Sequence, residues 1–531
     1  MSRYLPVIIA VIGLSLCLLW IRDHWWLAFP AVFFAFLMAL GYYDSLQKSH
    51  TLWRNFPVLA RIRWMAEELR PFVRAYAVES ETEGRPFNHE DRAMMYRRAK
   101  NVSSVEPFGS HLDIDKPPYE WLAHSMAAKH SPITDPRITV GAPGTRQPYE
   151  ASVLNISAMS FGSLGGNAIE ALSTGAAKGG FYQDTGEGGI SPYHRKGGAD
   201  LVWELGSSYF GCRTSDGKFD PAKFAELAVD PQVKMIEIKL SQGAKPGHGG
   251  VLPGEKVTPE IAETRGIPEG VTCVSPPYHS AFSNPIQMME FVAQLRDLSG
   301  GKPVGIKFCV GNNWEVLALC KAMLETGIRV DFMQVDGGEG GTGAAPAEFL
   351  DHVGAPLRQG LVLTRNALVG TGLDKDIRLA ASGKQISAFA IASSLALGAD
   401  WVTTARGFMF SLGCIQSLHC HNNSCPTGIA TSDPLRQRGL VVSDKSERVY
   451  NFHRNTVKAL MEVVGAAGCE HPSELRPHQI MHRISDEVVM NADVVYDLLQ
   501  PGQLLSEPGG THLGRDWALA QSSSFAAKSI D

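Results

Sequence analysis

Two apolar stretches at the N-terminus differ from the rest of the chain in their pattern of hydrophobic and polar positions. Residues 5–20 and residues 25–43 contain no charged side chain, and Trp and Tyr lie at the ends of the second stretch. About 20 apolar residues are needed to cross a bilayer, so the first stretch alone is also compatible with the core of a signal peptide. Two such stretches in succession favour a two-helix transmembrane hairpin over residues 1–45.

The charges that follow the second stretch predict its orientation. Lys48, Arg54, Arg61 and Arg63 come shortly after it. Because basic residues flank membrane spans on the cytoplasmic side, we expect the large C-terminal part of the chain to face the cytoplasm from the inner (cytoplasmic) membrane.

From residue 150 to residue 437 short apolar runs alternate with amphipathic segments. Six runs that contain β-branched residues each carry Gly, Ser, Lys or Asp toward the carboxyl end, and segments such as 313–326 have helical periodicity between them. The runs are 153–160, 235–242, 304–310, 332–340, 377–383 and 401–407. This alternation predicts the α/β class and a (β/α)8 TIM barrel, the alternative being a doubly wound sheet. In a barrel the carboxyl ends of the strands carry the active site.

The remaining segments carry weaker signals. Residues 46–149 are interpreted as a helical and irregular cytoplasmic segment, and residues 438–531 as a C-terminal helical extension with a tail. From about residue 505 the tail is polar and rich in Gly and Ser, which predicts a loose extension. A net charge of −5 without any long basic run argues against nucleic-acid binding.

Three of the nine cysteines, Cys414, Cys420 and Cys425, lie within twelve positions. An odd cluster of thiols does not suit a disulfide framework. Structural zinc is an alternative, with His419 or His421 as a fourth ligand, although zinc ligands are usually spaced as tighter pairs. Three thiolates on one loop that ends in Cys-Pro favour an iron–sulfur cluster, and spacing alone leaves open zinc and a fortuitous group of core cysteines.

Glycine-rich loops follow three consecutive predicted strands. Residues 336–346 contain five glycines, and residues 380–384 and 403–407 follow the next two strands. Backbone N–H groups in such loops can approach a phosphate closely, and barrels often bind phosphate after strands seven and eight. Gly383 and Gly407 are therefore candidate donors.

Two lysines lie inside predicted strands. Lys239, with Gln242 and Lys245 after it, ends one strand, and Lys307 lies within another. Since barrel strands have no edges, a lysine in such a strand either reaches solvent with its ammonium group or meets an anion. This favours a ligand-binding role.

The block 150–437 resembles the flavin-binding synthase domain of glutamate synthases. The resemblance rests on the ordered motifs SAMSFGS, DTGEGG, IKLSQGAKPGHGG, VSPPYHS, DGGEGGTGAAP and GCIQSLHCHNNSCPTG, and the whole chain resembles the stand-alone, membrane-anchored members. It implies that the three cysteines hold a 3Fe-4S cluster. It also implies that FMN contacts Ser157, Met159, Ser160 and Lys307, with Gly338, Gly383 and Gly407 around its phosphate.

The same resemblance implies the substrate and the partners. Lys239, Gln242, Lys245 and Arg265 would hold 2-oxoglutarate, with Lys239 and Lys245 in catalytic roles. Electrons from a ferredoxin or a reductase subunit would enter at the cluster, pass to FMN and leave as a hydride to 2-iminoglutarate, giving L-glutamate.

The sequence departs from the large enzymes of that family at its N-terminus, where an apolar hairpin stands instead of an amidotransferase domain. The nitrogen would then come from ammonia or from a glutaminase partner. The alternative is a membrane-linked flavin and iron–sulfur oxidoreductase that acts on a different amino or keto acid. A scaffold with a vestigial barrel is disfavoured, because all three cysteines and both strand lysines are retained.

Overall fold

The chain folds as two units, residues 1–89 and residues 90–531. They are seen in a computed structural model that describes residues 2–103 and 105–529. The four sequence-based segments, 1–45, 46–149, 150–437 and 438–531, stay predictions.

In the first unit the two apolar stretches form the helices Leu5–Trp20 and Ala28–Leu46, which pack against each other. A 3₁₀ turn at Trp25–Leu27 extends the second helix to a segment of 22 residues that is long and apolar enough to span a membrane, whereas the first helix is shorter. A Cβ on Gly13 would lie 2.7 Å from the Phe34 ring, so this close helix contact requires glycine. The predicted hairpin is present as two packed helices, and its insertion into a membrane stays a prediction.

The same unit continues with the helices Thr51–Asn55 and Leu59–Val73 and a π-helical turn at Arg74–Val78. Asp44, near the end of the second apolar helix, is fully buried and pairs with Arg61 at 2.7 Å.

The second unit is built on a closed barrel of eight parallel strands, each paired with the next along the chain and the eighth with the first. We number these barrel strands from first to eighth in chain order. They are Leu154–Ile156, Gln183–Asp184, Leu201–Leu205, Val233–Lys239, Val304–Phe308, Phe332–Asp336, Arg378–Ser382 and Trp401–Thr404. The predicted (β/α)8 TIM barrel is confirmed.

Helices connect the strands and surround the barrel, and an apolar core fills the space between the two layers. In chain order they are His89–Lys100, Gly166–Gly179, Pro192–Gly197, Pro221–Ala228, Pro259–Arg265, Pro285–Leu298, Asn313–Thr326, Ala347–His352, Leu357–Thr371, Ala388–Ala396, Arg406–Leu412, Pro434–Gln437, Val442–Ala466, Ala492–Val495, Gln503–Ser506 and Gly514–Leu519. The helix predicted at 313–326 has these bounds in the structure.

Short strands outside the barrel form three small sheets. They are Arg137–Val140 with Tyr149–Ser152, Val251–Leu252 with Cys273–Val274, and Glu120–Leu122 with Ile480–Arg483 and Val489–Asn491.

The C-terminal tail is not the loose extension that its composition predicts. Lys321, on a barrel helix, donates to the carbonyl oxygens of Trp517 and Ala520 at 2.7 and 2.9 Å, and Leu513 is buried. Apolar side chains at helical spacing within this polar stretch explain the difference, because they give the tail a face that packs on the barrel.

The barrel interior is apolar at its amino-terminal end. Tyr182, Val202, Met235, Phe332 and Trp401 pack there in one cluster. The antiparallel pair Arg137–Val140 and Tyr149–Ser152 adds Val140, Tyr149 and Ala151 to this cluster and so closes this end. Ligands must therefore approach from the carboxyl end.

Asp331, just before the sixth strand, joins three segments at the closed end. It is fully buried, it accepts from the backbone N–H groups of Ala142 and Val304 at 2.5 and 2.8 Å, and it pairs with Arg296 at 2.7 Å. Thr145 also donates to it.

We expect Asp331→Ala to lower the free energy of unfolding by about 3–5 kcal/mol, because it strips a buried arginine and two buried N–H groups of their acceptor. Denaturant unfolding of the detergent-solubilised chain measures this. The matched control is Asp297→Ala, an 83% exposed carboxylate 3.5 Å from Arg146, which should cost less than about 1 kcal/mol. Equal losses in the two variants would contradict the role of Asp331.

Candidate functional site

Three cations and one carboxylate meet at the carboxyl end of the barrel. Glu187 lies in the loop after the second strand, Lys239 ends the fourth strand, Lys245 lies in the loop that follows, and Arg265 ends a short helix. Lys239 Nζ lies 3.1 Å from Glu187 Oε2. The structure thus brings together three residues that the sequence predicts and a carboxylate that it does not.

The charges in this group are unequal. Burial alone would raise the pKa of Glu187, but the positive charges of Lys239 and Arg265 outweigh it and hold that pKa below its usual range. Burial lowers the pKa of Lys245 and of Arg265 from their ordinary values. Three cations and one carboxylate leave two positive charges, which suits a dianionic ligand.

Glu187 is enclosed by glycines. A Cβ on Gly250 would lie 2.2 Å from Glu187 Oε1, and one on Gly206 would lie 2.8 Å from Glu187 Oε2. Any larger residue at either position would displace the carboxylate from Lys239.

Two side chains that follow the fourth strand donate hydrogen bonds to the glycine-rich loop after the sixth strand. Gln242 Nε2 donates to the Gly341 carbonyl at 3.0 Å, and Lys245 Nζ donates to the Ala344 carbonyl at 3.0 Å. The predicted residue Gln242 therefore positions a loop at the barrel mouth.

Residues after the first strand line the same mouth. Ser157, Met159 and Ser160 are buried, and Arg265 Nη2 donates to Ser160 Oγ at 3.2 Å. A Cβ on Gly186, which has φ of +63°, would lie 2.6 Å from Ser160 N. The loops after the first two strands thus pack backbone to backbone.

The three predicted phosphate glycines have different surroundings. Gly383 follows the seventh strand with φ of +136°, a conformation that other residues rarely adopt. The Gly407 N–H points toward Thr404 Oγ1 at a long 3.4 Å, whereas the Gly338 N–H donates to the Ala355 carbonyl at 2.8 Å. The Gly338 amide is therefore already used within its loop.

Below the mouth, four charged side chains from successive strands meet inside the barrel. Asp184, Glu204 and Glu237 each bring a carboxylate oxygen within 4.8 Å of the other two. Lys307, on the fifth strand, is bonded to Glu204 and lies 3.7 Å from Glu237 Oε2. We call these four residues the interior quartet.

The interior quartet has more carboxyl groups than it can keep ionised. Burial alone would lower the pKa of Lys307, but the neighbouring carboxylates outweigh it and raise that pKa well above its usual range. Burial and the charge of Glu204 raise the pKa of Asp184 to about 7, and burial and the charge of Asp184 raise that of Glu237 well above its usual range. The quartet therefore retains a proton near neutral pH.

The three clustered cysteines lie on an irregular segment after the helix Arg406–Leu412. Burial raises the pKa of Cys414 to about 12 and raises that of Cys420. Cys425 differs: burial would raise its pKa, but donors from Thr427 and the backbone of Ile429 and Ala430 lower it below the usual value. This segment, residues 413–432, is called the cysteine loop.

Buried polar side chains hold the cysteine loop in place. Lys256 Nζ donates to the carbonyl oxygens of Ser163 at 2.7 Å, Ala430 at 3.1 Å and Cys420 at 3.3 Å. Asn423 Oδ1 accepts from the Ser432 N–H at 2.7 Å. The Lys256 side chain thus joins three segments, and the Cys420 and Cys425 thiols act on its charge.

Several of these residues have no signal in the sequence pattern. Glu187 lies within a motif that was read only for its glycines, and Glu204 and Glu237 look like ordinary polar residues of strands. A charged residue inside an apolar strand is the signal that could have identified Glu204 and Glu237, as it identified Lys239 and Lys307.

Sequence comparison with known proteins identifies the family of this chain. A sequence profile for the conserved region in glutamate synthase matches residues 145–470, which include all eight barrel strands and the three cysteines. The glutamate synthase large subunit-like protein YerD of Bacillus subtilis (strain 168) is 36% identical over 507 residues, which cover 88% of this chain and 96% of that protein. The chain belongs to the glutamate synthase family.

Other members of the glutamate synthase family match a shorter region. An archaeal glutamate synthase (NADPH) of Archaeoglobus fulgidus is 35% identical, over 60% of this chain and 60% of its own length. An archaeal-type glutamate synthase (NADPH) of Thermotoga maritima is 32% identical over the same shares. As a member of this family, the chain is a glutamate synthase-type oxidoreductase acting on CH–NH2 groups.

The retained proton predicts how stability depends on pH. Between about pH 4 and pH 7 the folded chain keeps on Asp184 a proton that the unfolded chain has released, so raising the pH through this window lowers the free energy of unfolding. Asp184→Asn keeps the shape and removes the titration. We expect the melting temperature of the variant relative to the native chain to rise by several degrees from pH 5 to pH 7.5.

Scanning calorimetry over that range measures the difference. The control is Asp297→Asn, which makes the same substitution at an exposed carboxylate outside the barrel interior. A pH-independent difference for Asp184→Asn would show that Asp184 is ionised in the folded chain.

Proposed function

We propose that this member of the glutamate synthase family forms L-glutamate by reducing the imine of 2-oxoglutarate and ammonia. The imine takes up two electrons and two protons, and its C=N bond becomes the CH–NH2 bond of the product. The observation that carries this proposal is the surplus of two positive charges among Glu187, Lys239, Lys245 and Arg265 at the open end of the barrel.

The charge surplus selects the substrate class. 2-Oxoglutarate carries two carboxylates, and each is best held by a cation with several N–H donors. Lys239 and Lys245 would take substrate oxygens, while the ion pair with Glu187 fixes the position of Lys239 Nζ. Monocarboxylic keto acids would leave one cation without a partner.

The loops at the barrel mouth fit FMN. Gly383 has a backbone conformation suited to close approach by a phosphate, and the Ser157 and Ser382 hydroxyl groups meet at 3.4 Å at the ends of the first and seventh strands. Gln334 Nε2, buried in the barrel, has no partner among the described residues. When bound, FMN would supply the hydride, and a 3Fe-4S cluster would deliver electrons to it one at a time.

The chain's own residues supply the remaining parts of the reaction. The apolar cluster at the amino-terminal end of the barrel excludes water from that side. The loop held by Gln242 and Lys245 narrows the opening at the carboxyl end. The hydride carries both electrons and one hydrogen, so the imine needs one further proton, and Asp184, with a pKa of about 7, holds one proton inside the barrel that would replace it.

Lys245→Gln should raise the KM for 2-oxoglutarate about 10–100-fold with a smaller change in kcat, because a lost charge-assisted hydrogen bond costs about 1.5–3 kcal/mol. The measurement follows loss of 2-oxoglutarate with a chemically reduced carrier, first with ammonia and then with glutamine. Lys218→Gln, at an exposed lysine paired with Asp216, is the control. Turnover of a monocarboxylic keto acid with the same kcat/KM as 2-oxoglutarate would contradict the proposed substrate.

Cys414, Cys420 and Cys425 are proposed to hold the 3Fe-4S cluster. The charges of Cys420 and Cys425 act on the Cys414 thiol, so the three thiols lie near one another in the folded chain. Three soft thiolate ligands on one irregular loop suit an iron–sulfur cluster.

Cys420→Ser should remove the iron and the visible iron–sulfur absorbance but leave most of the FMN, whose proposed ligands precede the cysteine loop. Elemental analysis should find about three iron atoms per native chain. Cys469→Ser changes a buried cysteine outside the loop and should retain the iron. One zinc and no iron in the native protein would exclude the cluster.

The partners follow from these assignments. We propose an electron-donor protein, either a ferredoxin or a reductase subunit, and ammonia that is free or comes from a glutaminase partner. We also propose that the protein is attached to the cytoplasmic membrane, supported by the span-length apolar helix Trp25–Leu46.

A further inference from the structure

The helix Leu59–Val73 carries an exposed apolar stripe. Five large apolar side chains on it are between 41% and 57% exposed: Leu59, Ile62, Met65, Leu69 and Val73. At 3.6 residues per turn these positions fall within an arc of about 120°. An exposed stripe of this length on one helix marks a surface that contacts another apolar phase.

Charges on the same helix are arranged around the stripe. Arg63 and Arg70 fall about 80–100° from its centre on one side, and Arg61 lies about 100° away on the other side. Glu67 and Glu68 fall on the face opposite the stripe, and both are exposed. Cations at the border and acids away from it are the arrangement expected of a helix that lies at a lipid surface.

The start of this helix is fixed at the end of the span-length helix. Asp44, in the last turn of Ala28–Leu46, pairs with Arg61 at 2.7 Å and accepts from the Val58 N–H at 3.0 Å. The end of a membrane span lies at the membrane–water boundary. The helix Leu59–Val73 therefore begins at that depth.

Aromatic side chains pack together near the start of the helix Leu59–Val73. The Trp53 ring lies 5.5 Å from the Trp64 ring and 4.0 Å from the His50 ring, and the Arg61 guanidinium lies 4.3 Å above Trp53. Tryptophan is enriched where lipid headgroups meet the acyl chains.

We propose that the helix Leu59–Val73 lies in the membrane–water interface, with its apolar stripe among the acyl chains and with Arg63 and Arg70 on anionic lipid headgroups. The proposal rests on the proposed membrane attachment. Two features favour lipid over a protein partner: the helix is continuous with the apolar hairpin, and its bordering cations complement an anionic lipid surface.

The test uses the full chain in vesicles of phosphatidylcholine with phosphatidylglycerol. A photoreactive benzoylphenylalanine replaces Leu69 in one variant and, as the matched control, Glu68 in another, since these adjacent exposed positions lie on different faces. After illumination, mass spectrometry identifies each adduct as lipid, the same chain or a second chain.

We expect at least about tenfold more lipid adduct at position 69 than at position 68, because only the stripe enters the acyl region. A third probe at Val73, one helical turn further on, should behave like the probe at position 69. Adducts from positions 69 and 73 to the same chain or to a second copy would overturn the proposal, as would equal lipid adducts at positions 68 and 69.

Extraction of the vesicles with alkaline carbonate tests the hairpin separately. A chain that stays in the membrane but gives protein adducts at position 69 would retain the proposed attachment and lose this inference. A chain that carbonate removes, yet that gives the expected lipid adducts before extraction, would retain the interfacial helix and lose the transmembrane hairpin.

Discussion

The ammonium group of Lys307 is the charge on which the barrel interior depends. Asp184, Glu204 and Glu237 come from three successive strands, and closure of the barrel leaves their side chains no route to water. Uncompensated carboxylates in such a place would cost several kcal/mol each. Lys307 compensates one carboxylate charge, and a retained proton neutralises a second carboxylate. The quartet therefore combines an ion pair with a protonated carboxyl group.

The fourth strand shows how one register gives the barrel three different layers. Met235 belongs to the apolar cluster at the closed end, Glu237 to the interior quartet and Lys239 to the cationic mouth. Residues two apart on a strand face the same side, so these three point inward one above another. Alternate residues of this one strand therefore place an apolar, an acidic and a cationic side chain in order from the closed end of the barrel to its open end. A dianion that enters at the open end reaches the cation before it reaches the carboxyl groups.

The sequence pattern predicts the barrel and the strand lysines but not the groups that pair with them. The second strand, Gln183–Asp184, has only two residues, and neither it nor the third, Leu201–Leu205, is among the six apolar runs that indicate the other strands. Lys307 and Glu204 are 103 residues apart. Such pairings arise from barrel closure and not from local periodicity. The glycines of DTGEGG suggest a loop near a ligand. The ion pair of Glu187 with Lys239 can be recognised only from the folded structure, which brings the two side chains together.

The cysteine loop shows the same dependence on distant contacts. Gln416 and Leu418 have positive φ angles of 54° and 61°, each of which costs about 1 kcal/mol or more, and Asn423, a residue that tolerates this conformation better, has φ of 58°. Bonds from Lys256 to three carbonyl groups, together with those of Asn423, hold the backbone in this shape. The polypeptide's own contacts therefore set the positions of the thiols. The N–H groups that lower the pKa of Cys425 would also donate to a metal-bound sulfur, which fits the ligand role proposed for this cysteine.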